Sequence, residues 1–163
     1  MGGRRTARGG ARRVVLVAVA VVVAAFIVGR ATAGEDDDHT AAALVGAVTS
    51  VTDGDTIRLD DERVRLLGID TPERGECGFD ESGDRLRDLV DRRTVSIVAA
   101  PGQTRDRYGR LLGYVEVGDV DAGRVLIAEG LAVARYDSRD GYPAHPREAD
   151  YRRLDATTPN ICG

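Results

Sequence analysis

Asp53-Gly54 stands between two short β-type runs, and this dipeptide constrains the fold more than any other pair in the chain. Asp-Gly suits a tight hairpin because the central residues of such a turn must reach positive φ. Before it, Leu44 to Thr52 is rich in Val, Ala and Thr; after it, Thr56-Ile57-Arg58-Leu59-Asp60 alternates, with Ile57 and Leu59 on one face. The acidic turn Asp60-Asp61-Glu62 leads into a third run, Arg63 to Ile69. Thr71-Pro72 ends that run, since the residue before proline is held extended and proline has no amide to donate. These signals predict three strands in an antiparallel meander.

The pattern then changes period. Leu86, Leu89 and Val90 fall at i, i+3, i+4 and predict a helix over Glu81 to Val90 with one buried stripe. Thr94 to Ala100 alternates again, with Val95, Ile97 and Ala99 facing one way. A polar loop, Pro101 to Gly109, leads to a further strand, Arg110 to Val117. Asp121 to Glu129 reads as a helix with Val125 and Leu126 inward, stopped by Gly130. Beyond Ala134 a loop carrying Tyr136, Tyr142, Pro143 and Pro146 precedes a last helix, Arg147 to Asp155, anchored by Tyr151 and Leu154. This order predicts an α+β, mainly β domain over residues 44–163: a five-stranded barrel of the OB type with about three helices. Periodicity alone leaves another α+β barrel open. With two Phe and no Trp in 163 residues, its core must be aliphatic.

Residues 1–33 belong to a different composition. Six arginines, no acid and an apolar block from Val14 to Val28 end at Ala31-Thr32-Ala33, the three parts of a signal peptide with cleavage after Ala33. An uncleaved membrane anchor is the alternative, because a spanning helix needs only about 20 apolar residues; Arg12-Arg13 before the block also leaves a twin-arginine route open. Either reading places the protein outside the cytoplasm, secreted or tethered by its N-terminus. Residues 34–43, with Glu35 to Asp38 in succession, form an acidic linker. In an exported chain the only two cysteines, Cys77 and Cys162, read as a disulfide.

Charge narrows the function. Six of the 23 basic residues precede Gly34, so removal of that segment leaves 17 facing 27 acids. A chain so acidic has no long-range attraction for nucleic acid; a phosphate ligand must be met by locally placed arginines or a bound cation. This weighs against a passive DNA-coating protein.

Candidate chemistry gathers between Asp53 and Glu73. Asp53 and Asp55 are two apart and share a face of an extended chain, although Asp53-Gly54-Asp55 taken alone is also an ordinary turn. Asp70 and Thr71 close the third run, where an adjacent strand can bring Asp70 beside Asp55. Two carboxylates, a backbone carbonyl and waters suit Ca²⁺, and the lack of His and Cys in the set disfavours zinc. Arg65 and Arg110 offer planar forks that match phosphate oxygens. Strict alternation sets Arg65 and Asp70, five apart, on opposite faces, so the strand must bulge near Gly68 or end before Asp70. His39 lies in the linker and His145 reads as a loop residue, which leaves histidine-based nuclease chemistry poorly supported.

Asp53-Gly54-Asp55-Thr56, Arg65-Leu66-Leu67-Gly68-Ile69-Asp70-Thr71-Pro72-Glu73 and Asp106-Arg107-Tyr108-Gly109-Arg110, in this order and spacing, resemble the staphylococcal nuclease (thermonuclease) family, over about Leu44 to Tyr136. The resemblance implies an OB-fold barrel and a Ca²⁺-dependent phosphodiesterase, an endonuclease acting on DNA and RNA with little sequence preference and leaving 3′-phosphate ends. It implies Asp55 and Asp70 as calcium carboxylates and Thr71 as a backbone-carbonyl ligand. Glu73 corresponds to the general base, and Arg65 and Arg110 to the phosphate-gripping arginines. Arg107, Tyr108 and Tyr136 become substrate-binding residues, Tyr136 also reading as a core-edge tyrosine. A monomer without a stable protein partner is expected. The chain departs from the family in having no lysine and in an acidic, glycine-containing loop after Glu73. Two rivals remain: a non-catalytic OB module that binds nucleic acid or another partner, and a phosphodiesterase for a smaller extracellular ester.

Overall fold

The computed structural model describes Gly2 and residues 44–163; apart from Gly2, the segment 1–33 and the linker 34–43 lie outside the described residues. The hairpin forms one residue later than Asp53-Gly54 suggests, with Gly54 and Asp55 as its turn residues; Gly54 does not adopt positive φ, and glycine is needed there because a Cβ would lie 2.4 Å from Ser82 Oγ. Strand β1 (Leu44–Asp53) pairs antiparallel with β2 (Thr56–Leu59), Asp53 facing Thr56 across the turn, and β2 pairs with β3 (Glu62–Leu66). Irregular register between Val48 and Ser50 and between Val51 and Asp53 lets β1 bend. Its first half can therefore pair with β5 (Thr94–Val98) while its second half pairs with β2. Strand β6 (Leu111–Val117) runs antiparallel to β5 and parallel to β3 through Val64↔Leu111, Arg65↔Leu112 and Leu66↔Gly113, which closes a five-stranded barrel. Gly113 is required there: a Cβ on it would lie 2.5 Å from Ile97 Cγ2.

The third strand is shorter than the sequence suggests. It ends at Leu66, because Gly68 adopts φ +80 and turns the chain. A separate two-residue strand, β4 (Ile69–Asp70), then pairs with β8 (Val133–Ala134), after β7 (Val120–Asp121) has extended the main sheet along β6. The alternation conflict between Arg65 and Asp70 is thereby removed, since the turn lies between them.

Three helices cover the barrel. Helix α1 (Phe79–Val90) begins two residues before its expected start, after Gly78, and buries Leu86 and Val90. Helix α2 (Ala122–Ala128) is capped by Asp121, whose carboxylate accepts from the Arg124 amide at 3.0 Å. It buries Leu126 and Ile127, leaving Val125 half-buried where the periodicity set it inward. Helix α3 (Glu148–Asp155) docks through Tyr151. The core is aliphatic apart from Tyr114 and Tyr151, and both hydroxyls find polar partners: Tyr151 donates to Asp121 at 2.7 Å, and Tyr114 meets His145 Nδ1 at 2.8 Å. Cys77 and Cys162 are bonded, their Cα atoms 5.9 Å apart, fastening the C-terminal tail to the loop before α1.

Candidate active site

The β2–β3 pairing and the Gly68 turn bring the sequence motifs into one cluster. Asp55 is the second residue of the hairpin turn, is 6% exposed, and accepts from the Thr56 hydroxyl at 3.0 Å and the Thr71 hydroxyl at 3.3 Å. Arg65, paired with Thr56 across the ladder, forms an ion pair with Asp55 through Nη1; its Nη2 donates to Asp70 at 3.3 Å and to the Ile69 carbonyl at 3.4 Å. Tyr136, just beyond β8, donates its hydroxyl to Asp70 at 3.2 Å, and its ring lies 5.3 Å from the Arg65 guanidinium carbon. The β4–β8 pairing carries both Tyr136 and Asp70 to this place.

Electrostatics follow the packing. Burial opposes the charge of Arg65, yet Asp55 and then Asp70 outweigh it and its pKa is raised. Burial and the neighbouring Asp55 carboxylate raise the pKa of Asp53. Burial and Asp70 raise that of Tyr136, so its hydroxyl stays a donor.

The second arginine is held differently. Asp106 accepts from Arg110 Nε at 2.7 Å and from the amides of Tyr108 and Arg110 at 2.9 Å each, forming a compact turn. Burial opposes ionisation of Asp106, but Arg110 and those amides lower its pKa overall. Arg110 is thus fixed at Nε, and its two Nη groups have no protein partner among the described residues. Tyr108 is 66% exposed, with the guanidinium carbons of Arg107 and Arg110 at 4.8 and 5.5 Å from its ring centre.

A cleft of about 650 Å³ joins the two groups. Asp55, Arg65, Thr71 and Glu73 line one side; Arg107, Tyr108 and Arg110 line another; Tyr136 and Tyr142 contribute aromatic rings, 5.3 Å apart edge to face. Glu73 is exposed to this space, and its amide is tied to Glu76 Oε2 at 2.7 Å. Asp70 joins from behind, through Arg65 and Tyr136. Asp55, Arg65, Thr71, Glu73, Arg107, Tyr108, Arg110 and Tyr136 therefore meet in this cleft and Asp70 reaches it through Arg65 and Tyr136, while Cys77, Cys162 and His145 do not line it.

Sequence reasoning missed Thr56, Gln103, Asp106 and Tyr142. Thr56 and Asp106 sit inside the motifs, and Asp106 stands four residues before Arg110 in a turn sequence, a spacing that suggests the pair. Gln103 supports the wall by donating to the Pro143 carbonyl at 3.2 Å, and nothing in a lone glutamine within a polar loop signals that.

The groups around Asp55 able to ligate a metal are all oxygen, two carboxylates and two threonine hydroxyls with no imidazole or sulfur, and the Arg65 guanidinium pairs with both carboxylates. Among the described residues no three His, Cys, Asp or Glu side chains cluster, so a cation here would take part of its shell from backbone, water or ligand oxygens. Such a set fits a hard ion and not zinc.

A closed five-stranded barrel with a cleft lined by acids and arginines defines an OB-fold protein. The chain belongs to the family described as Staphylococcal nuclease homologue, whose model matches residues 63–156. It is similar to a thermonuclease of Staphylococcus intermedius, 38% identical over 107 residues that make up 58% of this chain and 62% of the relative. An uncharacterized endonuclease of Escherichia coli O157:H7 is 36% identical over 96 residues, covering 56% of this chain and 61% of the relative. A micrococcal nuclease of Shigella flexneri is 40% identical over 104 residues, covering 55% and 57%. The chain thus spans about three-fifths of the length of these curated relatives.

Proposed function

We propose that this protein is an exported, Ca²⁺-dependent endonuclease that hydrolyses phosphodiester bonds of DNA and RNA with little sequence preference, leaving 3′-phosphate ends. The observation that carries the reading is the convergence of two arginines and an accessible carboxylate, Arg65, Arg110 and Glu73, on one cleft beside the paired acids Asp55 and Asp70. Family membership and the names of the relatives, thermonuclease, endonuclease and micrococcal nuclease, point the same way.

Phosphodiester hydrolysis needs developing charge on the phosphate oxygens neutralised and a water held in line. Arg110, fixed by Asp106 and free at both Nη groups, presents a ready fork for two of those oxygens. Arg65 offers a second cation, restrained by Asp55 and Asp70, so its place is set before substrate arrives. Glu73, exposed in the cleft, takes the proton of the attacking water. Asp55, Asp70 and the Thr71 carbonyl would hold the Ca²⁺. The chemistry such an ion supplies is charge neutralisation at the phosphate. Tyr108 and Tyr136 present rings on which a nucleotide can rest.

The test is incubation of the purified protein with plasmid, single-stranded DNA and RNA, with Ca²⁺ and with chelator. Cleavage only with Ca²⁺, and products carrying 3′-phosphates, support the reading. Binding without cleavage would assign the chain to the non-catalytic OB modules instead. Export is tested separately, by finding the protein in the medium or at the cell surface.

A further inference from the structure

On the outer face of the β2–β3 ladder Arg58 stands directly across from Arg63, and neither forms an ion pair among the described residues. Like charges directly opposite each other destabilise a sheet. The core does not demand the pair: Ile57, Leu59, Val64 and Leu66 are buried on the core face, and the two arginines lie on the opposite face, where only Thr56 at the cleft end is buried.

The pair continues the cleft. Arg63 precedes Arg65 by two residues and shares its face, and Arg58 stands in the same relation to Thr56. In the parallel β3–β6 ladder Val64 pairs with Leu111, which sets Arg63 alongside Arg110. Four arginines thus form a band on adjoining strands, two at the cleft and two beyond it. Residues two apart on a strand are separated by about 6.6 Å, comparable with the spacing of successive phosphates along an extended single strand. The band is bounded: the hairpin tip is acidic, with Asp60 and Asp61 exposed and Glu62 held by Arg105 at 2.9 Å.

We infer that the Arg58–Arg63 face binds the phosphates of a nucleic-acid strand one or two nucleotides beyond the bond cut in the cleft. This rests on the proposed nuclease reading for its substrate. In a chain with more acids than bases, a local band of arginines is what replaces long-range attraction to the polymer. It also answers the absence of lysine, and it ends where the acidic tip would repel the next phosphate.

The experiment measures equilibrium binding of a labelled 20-nucleotide single strand and of a dinucleotide, in chelator, over a salt titration. The parent protein is compared with the doubles Arg58→Gln/Arg63→Gln and Arg58→Lys/Arg63→Lys. The glutamine double is expected to bind the 20-mer about tenfold more weakly at low salt. Its salt slope should fall by about 1.4, or about 0.7 for each phosphate no longer neutralised. The preference for 20-mer over dinucleotide should shrink, and the lysine double should recover the slope. An unchanged slope and 20-mer affinity would overturn the inference, as would equal losses for both ligands. Thermal unfolding of the glutamine double should match or exceed the parent, since a like-charge pair is removed. If the parent shows the arginine-dependent slope yet cleaves nothing with Ca²⁺, the nuclease reading fails and the strand-binding face stands.

Discussion

The imidazole of His145 lies against Gly68, so close that a Cβ on that glycine would come within 2.6 Å of Cε1 and 2.7 Å of Nε2. Gly68 is the turn that separates Arg65 from Asp70, while His145 ends the segment that carries Tyr136 and Tyr142 along the cleft. The contact therefore joins the two walls of the site from behind. Gly68→Ala is expected to cost more than about 2 kcal/mol, combining a left-handed backbone unfavourable to alanine with displacement of a buried ring. Denaturant unfolding should show a lower midpoint with an unchanged slope, and turnover should fall because both walls move.

His145 also gives stability a defined pH dependence. Its pKa is lowered, first by burial; Glu148 and Asp137 pull it up, Arg152 and Arg147 push it down, and Tyr114 faces Nδ1. Nε2 has no hydrogen-bond partner among the described residues. The folded state therefore resists protonation while the unfolded chain takes a proton near the ordinary histidine value of about 6.5. Where the unfolded state binds more protons, stability rises with pH. Unfolding midpoints should fall as pH drops below about 6.5, and His145→Gln should flatten that part of the curve. A variant curve as steep as the parent's would assign the effect to carboxylates.

The two arginines of the cleft should separate by what else they do. Arg110→Ala leaves Asp106 still bonded to two backbone amides and more open to water than in the parent, so the fold should survive while turnover falls by orders of magnitude. Arg65→Ala removes the cation from Asp55, whose side chain is 8% exposed, and stability should drop by about 3 kcal/mol in addition. Kinetics and chemical denaturation on the two variants decide this. Near-normal activity in Arg110→Ala would remove the arginine fork from the mechanism.

The elements most legible in the sequence were those whose signals are local. The hairpin after β1 and the stripe of Leu86, Leu89 and Val90 each depend on a few neighbouring residues, and each formed within two residues of its expected place, with Leu89 half-buried; Thr71-Pro72 bounds only β4, because Gly68 had already ended β3 at Leu66. The site motifs were legible for the same reason, because Asp55, Arg65 and Asp70 lie on adjoining strands and one turn. What was hidden depends on closure of the barrel. The parallel β3–β6 pairing and the burial of His145 join segments that alternation cannot match. His145 in particular follows the rule for a loop residue, and only Gly68 and Tyr114 packed around it make it core.

The disulfide couples stability to the site. Cys77 and Cys162 are 85 positions apart, and closing a loop of that size stabilises the fold by about 4 to 5 kcal/mol in the chain-entropy model. The bond also draws the tail over Gly130, whose carbonyl accepts from the Ile161 amide at 3.2 Å. Glu73 lies four residues before Cys77, in a loop otherwise held by the Glu76 contact to its own amide. A Cys77→Ser/Cys162→Ser double should therefore unfold at lower denaturant by roughly that free energy. Under conditions where it is still folded, it should also turn over more slowly with an unchanged KM, because the loop carrying the base is freer while the arginines are not. An equal loss in the double and in Glu76→Ala would show that fixing this loop is their common role; a double that loses stability alone would confine the bond to the scaffold.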